Sequence, residues 1–347
     1  MKLTIVLIST FFFLSGLLLP ASSCFAEKEE DALREAQEAI DKQDYSRAAA
    51  LLNAAAAAGS AEALYVQGVL LLEGKGVKED KTRAVQLFRQ AAEKGDISAQ
   101  YAFGAALASG TGIRRNYKEA ARWLTKAAEQ GGHALAQYSL GYLHAHGRGV
   151  TKNEEAAIDW YSRAANQGLA QAQYSLGWVY LNSAGENQSD TKAAHWFSRA
   201  ADQDHVKAQN NLAYMYAEGR GYAQDPAKAV QWYARAAERG SAEAQYNLGL
   251  MYEQGRGVPQ DYSKAVEYYR RSAEQNEPAA QYSLGVMYEQ GTGVARNLGE
   301  ANRWYKLAAQ NGDPNAKALL REQQTPPGSG AAPKKTKNKN EQQRSRE

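Results

Sequence analysis

Residues 244–275 read AQYNLGLMYEQGRGVPQDYSKAVEYYRRSAEQ. Two glycines flank Arg256, and a helical pattern follows at once. A glycine-rich turn feeding a helix is one way to hold a phosphate. The rest of the chain gives the turn another meaning. AQYSLGVMYEQGTGVARNLGEANRWYKLAAQNG follows at 280–312, and AQYSLGYLHAHGRGVTKNEEAAIDWYSRAANQG lies at 136–168. The glycine after the motif leucine, or after the residue in its place, falls at Gly68, Gly104, Gly141, Gly177, Gly249 and Gly285, with Ala213 in the fifth slot. Successive spacings are 36 residues, with a single 37 between Gly104 and Gly141. Seven copies fill 61–312, and a period of this size marks a solenoid. A dinucleotide loop follows a strand, has a third glycine and occurs once per domain. This turn follows a helical pattern and recurs, so it reads as a structural turn.

Each copy reads as two helices. In 242–254 the apolar positions Ala244, Leu248, Met251 and Tyr252 recur at spacings of three and four, which makes one face apolar. The second helix opens at a capping residue: Asp80, Asn116, Asn153, Ser189, Asp225, Asp261 and Asn297 in turn. Pro226 follows its cap, where a missing N–H costs nothing. The apolar face of the second helix carries Ala265, Tyr268, Tyr269, Ser272 and Ala273. Stops are expected at Gly95, Gly131, Gly168, Gly240 and Gly312, with Asp204 and Asn276 replacing glycine elsewhere.

The pattern A-Q-Y-x-L-G-x-x-Y…G-x-G-V-x-x-D-x-x-K-A-x-x-W-Y-x-x-A-A-x-x-G resembles the Sel-one-like repeat, a branch of the tetratricopeptide-like solenoids. The resemblance covers 61–312. It implies an all-α, right-handed α-solenoid of helix-turn-helix repeats. Residues 27–60 look like a further tetratricopeptide-like unit, with Asp44, Ala48, Leu51, Leu52, Ala55 and Gly59 in register with Asp80, Ala84, Leu87, Phe88, Ala91 and Gly95. Residues 313–323 restart a first helix and are expected to cap the open end. Residues 324–347, rich in Pro, Gly, Lys and Gln, have no periodicity and are expected to be a disordered basic tail.

Residues 1–26 have the layout of a secretory signal peptide: Lys2, an apolar run from Leu3 to Leu19, small residues, then the charged EKEE. Two processing routes fit. One is a cut after Ala26. The other is lipidation of Cys24, although the leucine usual three residues before such a cysteine is missing. The first is preferred, which makes the protein periplasmic or secreted, with a membrane contact only if Cys24 is lipidated. Cys24 is the sole cysteine, so disulfides are excluded and the fold must be stable by packing. The net charge is +3, but the tail carries +4 and the body is near neutral. That argues against nucleic acid as the partner.

Little in the sequence points to chemistry. His133, His144, His146, His195 and His205 lack metal-ligand spacing, and no serine sits in a nucleophile elbow. No cofactor, no metal and no catalytic set is expected. The paired slot Trp160/Tyr161, Trp196/Phe197, Trp232/Tyr233, Tyr268/Tyr269 and Trp304/Tyr305 reads as packing between hairpins. A different slot carries the functional expectation. In tetratricopeptide-like solenoids the first helices line the ligand-binding concave groove, and the residue after the motif glycine is expected to face it. Here it reads Val69, Ala105, Tyr142, Trp178, Tyr214, Leu250 and Val286. Three consecutive aromatics, Tyr142, Trp178 and Tyr214, stand beside Tyr138, Tyr174 and Asn210 one turn earlier. The neighbouring turn 181–190, LNSAGENQSD, lacks G-x-G. These six residues are the candidate partner-binding set.

The family resemblance implies a non-enzymatic scaffold or adaptor for other proteins, acting in the bacterial envelope or after secretion, and a monomer is expected. The alternative is a periplasmic or lipid-anchored factor in envelope or exopolysaccharide assembly. A cell-wall-active enzyme is a weaker reading, because this chain lacks the paired cysteines of the relatives for which that role has been proposed.

Overall fold

A computed structural model describes residues 23–324. Most of the expected signal peptide and nearly all of the expected basic tail lie outside the described residues. Among the described residues there are 17 α-helices, one short 3-10 turn and no strand. In chain order they are α1 (Ser23–Asp41), α2 (Tyr45–Ala57), α3 (Ala61–Glu73), α4 (Lys81–Glu93), α5 (Ile97–Ser109) and α6 (Tyr117–Gln130). Next come α7 (Ala134–His146), α8 (Glu154–Asn166), α9 (Ala170–Asn182), α10 (Asp190–Ala201), α11 (Val206–Glu218) and α12 (Pro226–Glu238). The last are α13 (Ala242–Gln254), α14 (Tyr262–Ala273), α15 (Pro278–Gln290), α16 (Leu298–Gln310) and α17 (Pro314–Gln324). The described residues fall into two compact units that divide between Ala208 and Gln209. Within the first, α3 packs on α4, α5 on α6, α7 on α8 and α9 on α10; within the second, α13 packs on α14 and α15 on α16.

The second helix of each repeat starts where the sequence places it. Asp80, Asn116, Asn153, Ser189, Asp225, Asp261 and Asn297 each accept a hydrogen bond from the backbone N–H three residues on. That bond satisfies one of the amides a helix start leaves open. The backbone N–H of each cap residue also ties back to the first helix, as in Asp261 N to Tyr252 O at 3.0 Å. The turn is therefore pinned at both ends.

The two turn glycines have separate causes. Gly255 ends α13 in the left-handed region at φ 66°, and Arg256 N closes the cap on Met251 O at 3.0 Å. Gly257 is also left-handed, and in addition a Cβ on it would stand 2.3 Å from the Pro226 carbonyl oxygen. The second glycine is thus where one hairpin's turn rests on the start of the previous repeat's second helix. Gly112 meets Lys81, Gly149 meets Tyr117 and Gly293 meets Tyr262 in the same way.

The motif glycine inside the first helix is a close approach as well. A Cβ on Gly249 would lie 2.7 Å from the Tyr269 ring, and one on Gly141 would lie 2.5 Å from the Tyr161 ring. Gly68, Gly177 and Gly285 face Phe88, Phe197 and Tyr305. Those second-helix side chains are buried, and so are the small residues around them: Ala244, Ala265, Ala280 and their counterparts in other repeats. Small side chains let the two helices approach closely while an aromatic ring fills the space between them.

A polar contact runs through this alanine-lined core. Gln245 is buried; its Nε2 donates to Ala237 O at 3.1 Å, and its Oε1 accepts from Gln275 Nε2 at 2.8 Å. Gln173 does the same with Ala165 O (3.1 Å) and Gln203 (2.7 Å), and Gln281 with Ala273 O (3.0 Å) and Asn311 (3.0 Å). Gln137 repeats the pattern with Ala128 O and Gln167. Each amide binds the end of the preceding hairpin and of its own, so it bridges three helices and leaves little polar capacity unmet.

One stop differs from the sequence reading, and one turn takes the irregular path its sequence suggested. Gly131 does not carry the left-handed backbone (φ −115°); Gly132 does, at φ 60°. The 37-residue spacing places its extra residue here, and α6 runs one or two residues longer than its counterparts. In the fourth repeat α9 ends at Ser183 in extended backbone, with Ser183 Oγ on Val179 O at 2.7 Å, and a 3-10 turn Gly185–Asn187 follows. Ser189 N still bonds Tyr180 O at 2.9 Å, so the turn changes path while keeping its anchors.

Candidate functional site

In the first unit, Tyr138 and Tyr142 lie one turn apart on α7, and Tyr174 and Trp178 hold the same places on α9. Tyr138 packs against the Tyr161 ring with centroids 5.7 Å apart, and burial raises its phenol above the ordinary range. Tyr174 is held between Phe197 at 5.7 Å and the stacked imidazole of His205 at 4.6 Å. These two tyrosines are half-buried. Of the outer pair only Trp178 is open. Tyr142, also half-buried, lies tilted against His146 at 4.2 Å, and Trp178, 48% exposed, stacks on Tyr174 at 6.5 Å.

All four side chains line one cavity of about 390 Å³, with His146, Lys152, Glu154, Tyr161, Ser175, Asn182 and Ser183 among its other walls. Asn182, the last residue of α9, and Ser183, its extended C-cap, complete that wall. Asn182 Nδ2 holds the Trp178 carbonyl at 2.9 Å, and Glu154 across the cavity accepts from Asn187 Nδ2 at 3.2 Å. The turn without G-x-G and the exposed tryptophan are therefore parts of one construction. Large flat rings with polar groups at the margin provide contact area at small entropic cost.

The other two candidates belong to the second unit. Tyr214 is 43% exposed on α11. Asn210 is 3% exposed, and its Oδ1 accepts from Asn247 Nδ2 at 3.3 Å. Its side chain is spent inside the unit and offers no open surface. The slot after the motif glycine is not uniformly open either. Val69 and Ala105 are buried, while Leu250 and Val286 are half-buried. Among the repeats only Trp178 and Tyr214 present a large, exposed side chain in this slot.

The aromatic pair on the second helix divides in a way the sequence reading did not anticipate. Phe88, Leu124, Tyr161, Phe197, Tyr233, Tyr269 and Tyr305 are buried as expected. Of their preceding partners, Trp123, Trp160, Trp196, Trp232 and Tyr268 are only half-buried. Each is covered by a cation three residues on: Lys126 at 4.2 Å, Arg163 at 4.7 Å, Arg199 at 5.1 Å, Arg235 at 4.6 Å and Arg271 at 5.4 Å. One ring fills the hairpin; the next lies at its rim, where a guanidinium or ammonium shields it.

The sequence reading also missed the buried glutamines. The signal was available: a glutamine recurring beside a fully buried alanine, with a second amide thirty residues later in four repeats.

Two comparisons place the fold. The Sel1 repeat pattern matches residues 39–60, 61–96, 97–132, 134–169, 170–205, 206–241, 242–277 and 278–313. Among solved structures, a protective antigen of uropathogenic Escherichia coli with an SLR fold is 34% identical, with a TM-score of 0.74 over 79% of this chain. The chain spans 58% of that protein's length. A Sel1 repeat protein from Oxalobacter formigenes is 28% identical, with a TM-score of 0.66 over 87% of this chain and 92% of its own. No curated protein matches the sequence. With eight matched repeats and neighbours built from the same hairpin, the chain belongs to the Sel1 repeat family.

Proposed function

We propose that this chain is an exported scaffold that binds a segment of another protein across the α7–α9 surface. Sel1 repeat proteins are generally protein-interaction scaffolds and typically non-catalytic. The observation that carries the specific reading is the meeting of Trp178, Tyr142 and the rerouted turn around one 390 Å³ cavity. A packed core does not need Trp178 held half in solvent, whereas a docking surface does. In the second unit Tyr214 is proposed as a further contact, and Asn210 as the residue that supports its helix. Export through residues 1–26 puts the surface in the periplasm or outside the cell.

The experiment is photo-cross-linking in intact cells from a reactive group placed at position 178, compared with Trp178→Ala in capture. A binding hot spot loses about 2 kcal/mol on truncation, roughly thirty-fold in affinity, while unfolding changes little. A Trp178→Ala protein that is equally stable and captures the same partners as well as the parent would remove this site.

A further inference from the structure

Beside the aromatic cavity lies a second one of about 200 Å³, and Tyr142 lines both. Arg115, Arg148, Tyr117, Ser109 and Ser139 are among its walls. Arg115 donates through Nε and Nη2 to the Ser109 carbonyl at 3.3 and 3.0 Å. Arg148 reaches the Tyr117 hydroxyl at 3.4 Å, and its guanidinium lies over the Tyr142 ring at 5.2 Å. Among the described residues neither arginine forms an ion pair.

The second unit shows what this slot does when its charges are balanced. Arg256 holds the position of Arg148, seven residues past the motif glycine. It donates to Ala217 O at 2.9 Å and pairs with the Glu218 carboxylate at 3.1 Å. The residue equivalent to Glu218, five past the preceding motif glycine, is Ser109 in the first unit. The residue equivalent to Arg115 is Gln224, which is neutral and bonds Ala217 O at 2.8 Å. One slot therefore holds one cation and one carboxylate. The other holds two cations, a hydroxyl and an open cavity.

We infer that the cavity between Arg115 and Arg148 takes a carboxylate from an acidic residue of the bound segment, supplying in trans what Glu218 supplies in cis. This rests on the reading of the Tyr142–Trp178 surface as a peptide-binding site, and it adds the chemistry that surface selects. A guanidinium pairs with a planar carboxylate through parallel N–H donors, and most donors of these two arginines face no protein acceptor. Tyr142 joins the two cavities, so the preferred segment carries an acidic side chain a few residues from an apolar or aromatic one.

The test is selection of random short peptides displayed against the full chain. The parent is compared with Arg115→Gln/Arg148→Gln, with Ser109→Glu and with Trp178→Ala. The parent should enrich Asp or Glu at a set distance from an apolar residue. A selected peptide should bind about ten-fold tighter than its Asn- or Gln-substituted form, as one well-placed charge pair provides. The double variant should bind both forms equally while keeping the apolar preference. Ser109→Glu, which keeps both arginines and offers them an internal carboxylate, should also lose the acidic preference. Trp178→Ala should lose the apolar one. Apolar enrichment with no acidic preference in the parent overturns the carboxylate site and leaves the docking surface standing. An acidic preference that survives in the double variant also overturns it. No enrichment at all removes both readings.

Discussion

Replacing Gly249 by alanine tests whether the hairpins are set by close approach or by helix propensity, because the two predict opposite signs. By propensity alone alanine stabilises a helix interior by about 1 kcal/mol relative to glycine. The structure opposes that gain. The new Cβ would stand 2.7 Å from both Cδ1 and Cε1 of Tyr269 and 3.4 Å from the Ala265 carbonyl oxygen. Carbon–carbon contacts settle at about 3.5–4.0 Å, so the ring must retreat by roughly 1 Å. It has nowhere easy to go: Tyr269 is fully buried, and its hydroxyl donates to the Glu253 carboxylate. Overpacking of this kind costs about 1–3 kcal/mol. The expected net effect is a loss of up to about 2 kcal/mol, and Gly249→Leu should lose more. The assay is urea unfolding followed by far-UV circular dichroism, with amide exchange in α13 and α14 because repeat arrays open locally. Ala213, which occupies the same slot in the fifth repeat, is the control. Ala213→Gly should lose about 1 kcal/mol through propensity. If Gly249→Ala raised the unfolding midpoint, the close-approach account of this glycine would be wrong.

Gln245→Leu should destabilise by about 1–3 kcal/mol, since it leaves the Ala237 carbonyl and the Gln275 amide without their partner; a midpoint within error of the parent would remove the glutamine bridge from the account. Gly257→Ala should cost more than Gly255→Ala. Both have left-handed backbone, where a side chain costs about 1–2 kcal/mol, but only at Gly257 would the added Cβ also stand 2.3 Å from the Pro226 carbonyl oxygen; equal losses would argue against that close approach. His133 caps α7 through Nδ1, which accepts from Ala136 N at 3.3 Å, and its ring stacks on Tyr101 at 4.6 Å. Burial lowers its pKa, so the folded chain holds it neutral while the unfolded chain takes a proton near pH 6.5. Its contribution is therefore complete above about pH 6.5 and is lost as the pH falls below it. His133→Ser, which keeps a capping side chain, should make the loss of stability below about pH 6.5 shallower, with His205, also lowered by burial, keeping part of the slope.

The parts of this fold that depend on local sequence could be read from it. A capping side chain bonds three residues ahead, and a left-handed glycine ends its own helix, so Asp261 and Gly255 carry their meaning in place. What could not be read depends on a neighbour. Trp160 and Tyr161 are adjacent in the chain, yet one lies at the rim and the other is buried, because depth is set by the hairpin packed alongside. Asn210 looked like a departure toward function and proved to be a buried partner of Asn247. The unbalanced charge of Arg115 and Arg148 shows only when their slot is laid beside that of Arg256, Glu218 and Gln224. The candidate site was legible as a set of aromatic positions. Its cavity was not, because its walls come from α7, α8 and α9 together.

The glutamine bridges have a bearing on how such a chain changes over generations. At four junctions the joining bonds are the same: an amide nitrogen to the last carbonyls of one hairpin, and an amide oxygen to the side chain that closes the next. A seam made this way does not record which two copies it joins. Unequal recombination that removes or adds one period between these junctions would bring together ends that already fit. The number of copies is then the cheapest property of the molecule to alter. The features confined to one place, such as the open tryptophan and the arginines without a carboxylate, are the ones that a change of copy number would misplace, and only selection on what they bind would hold them in position.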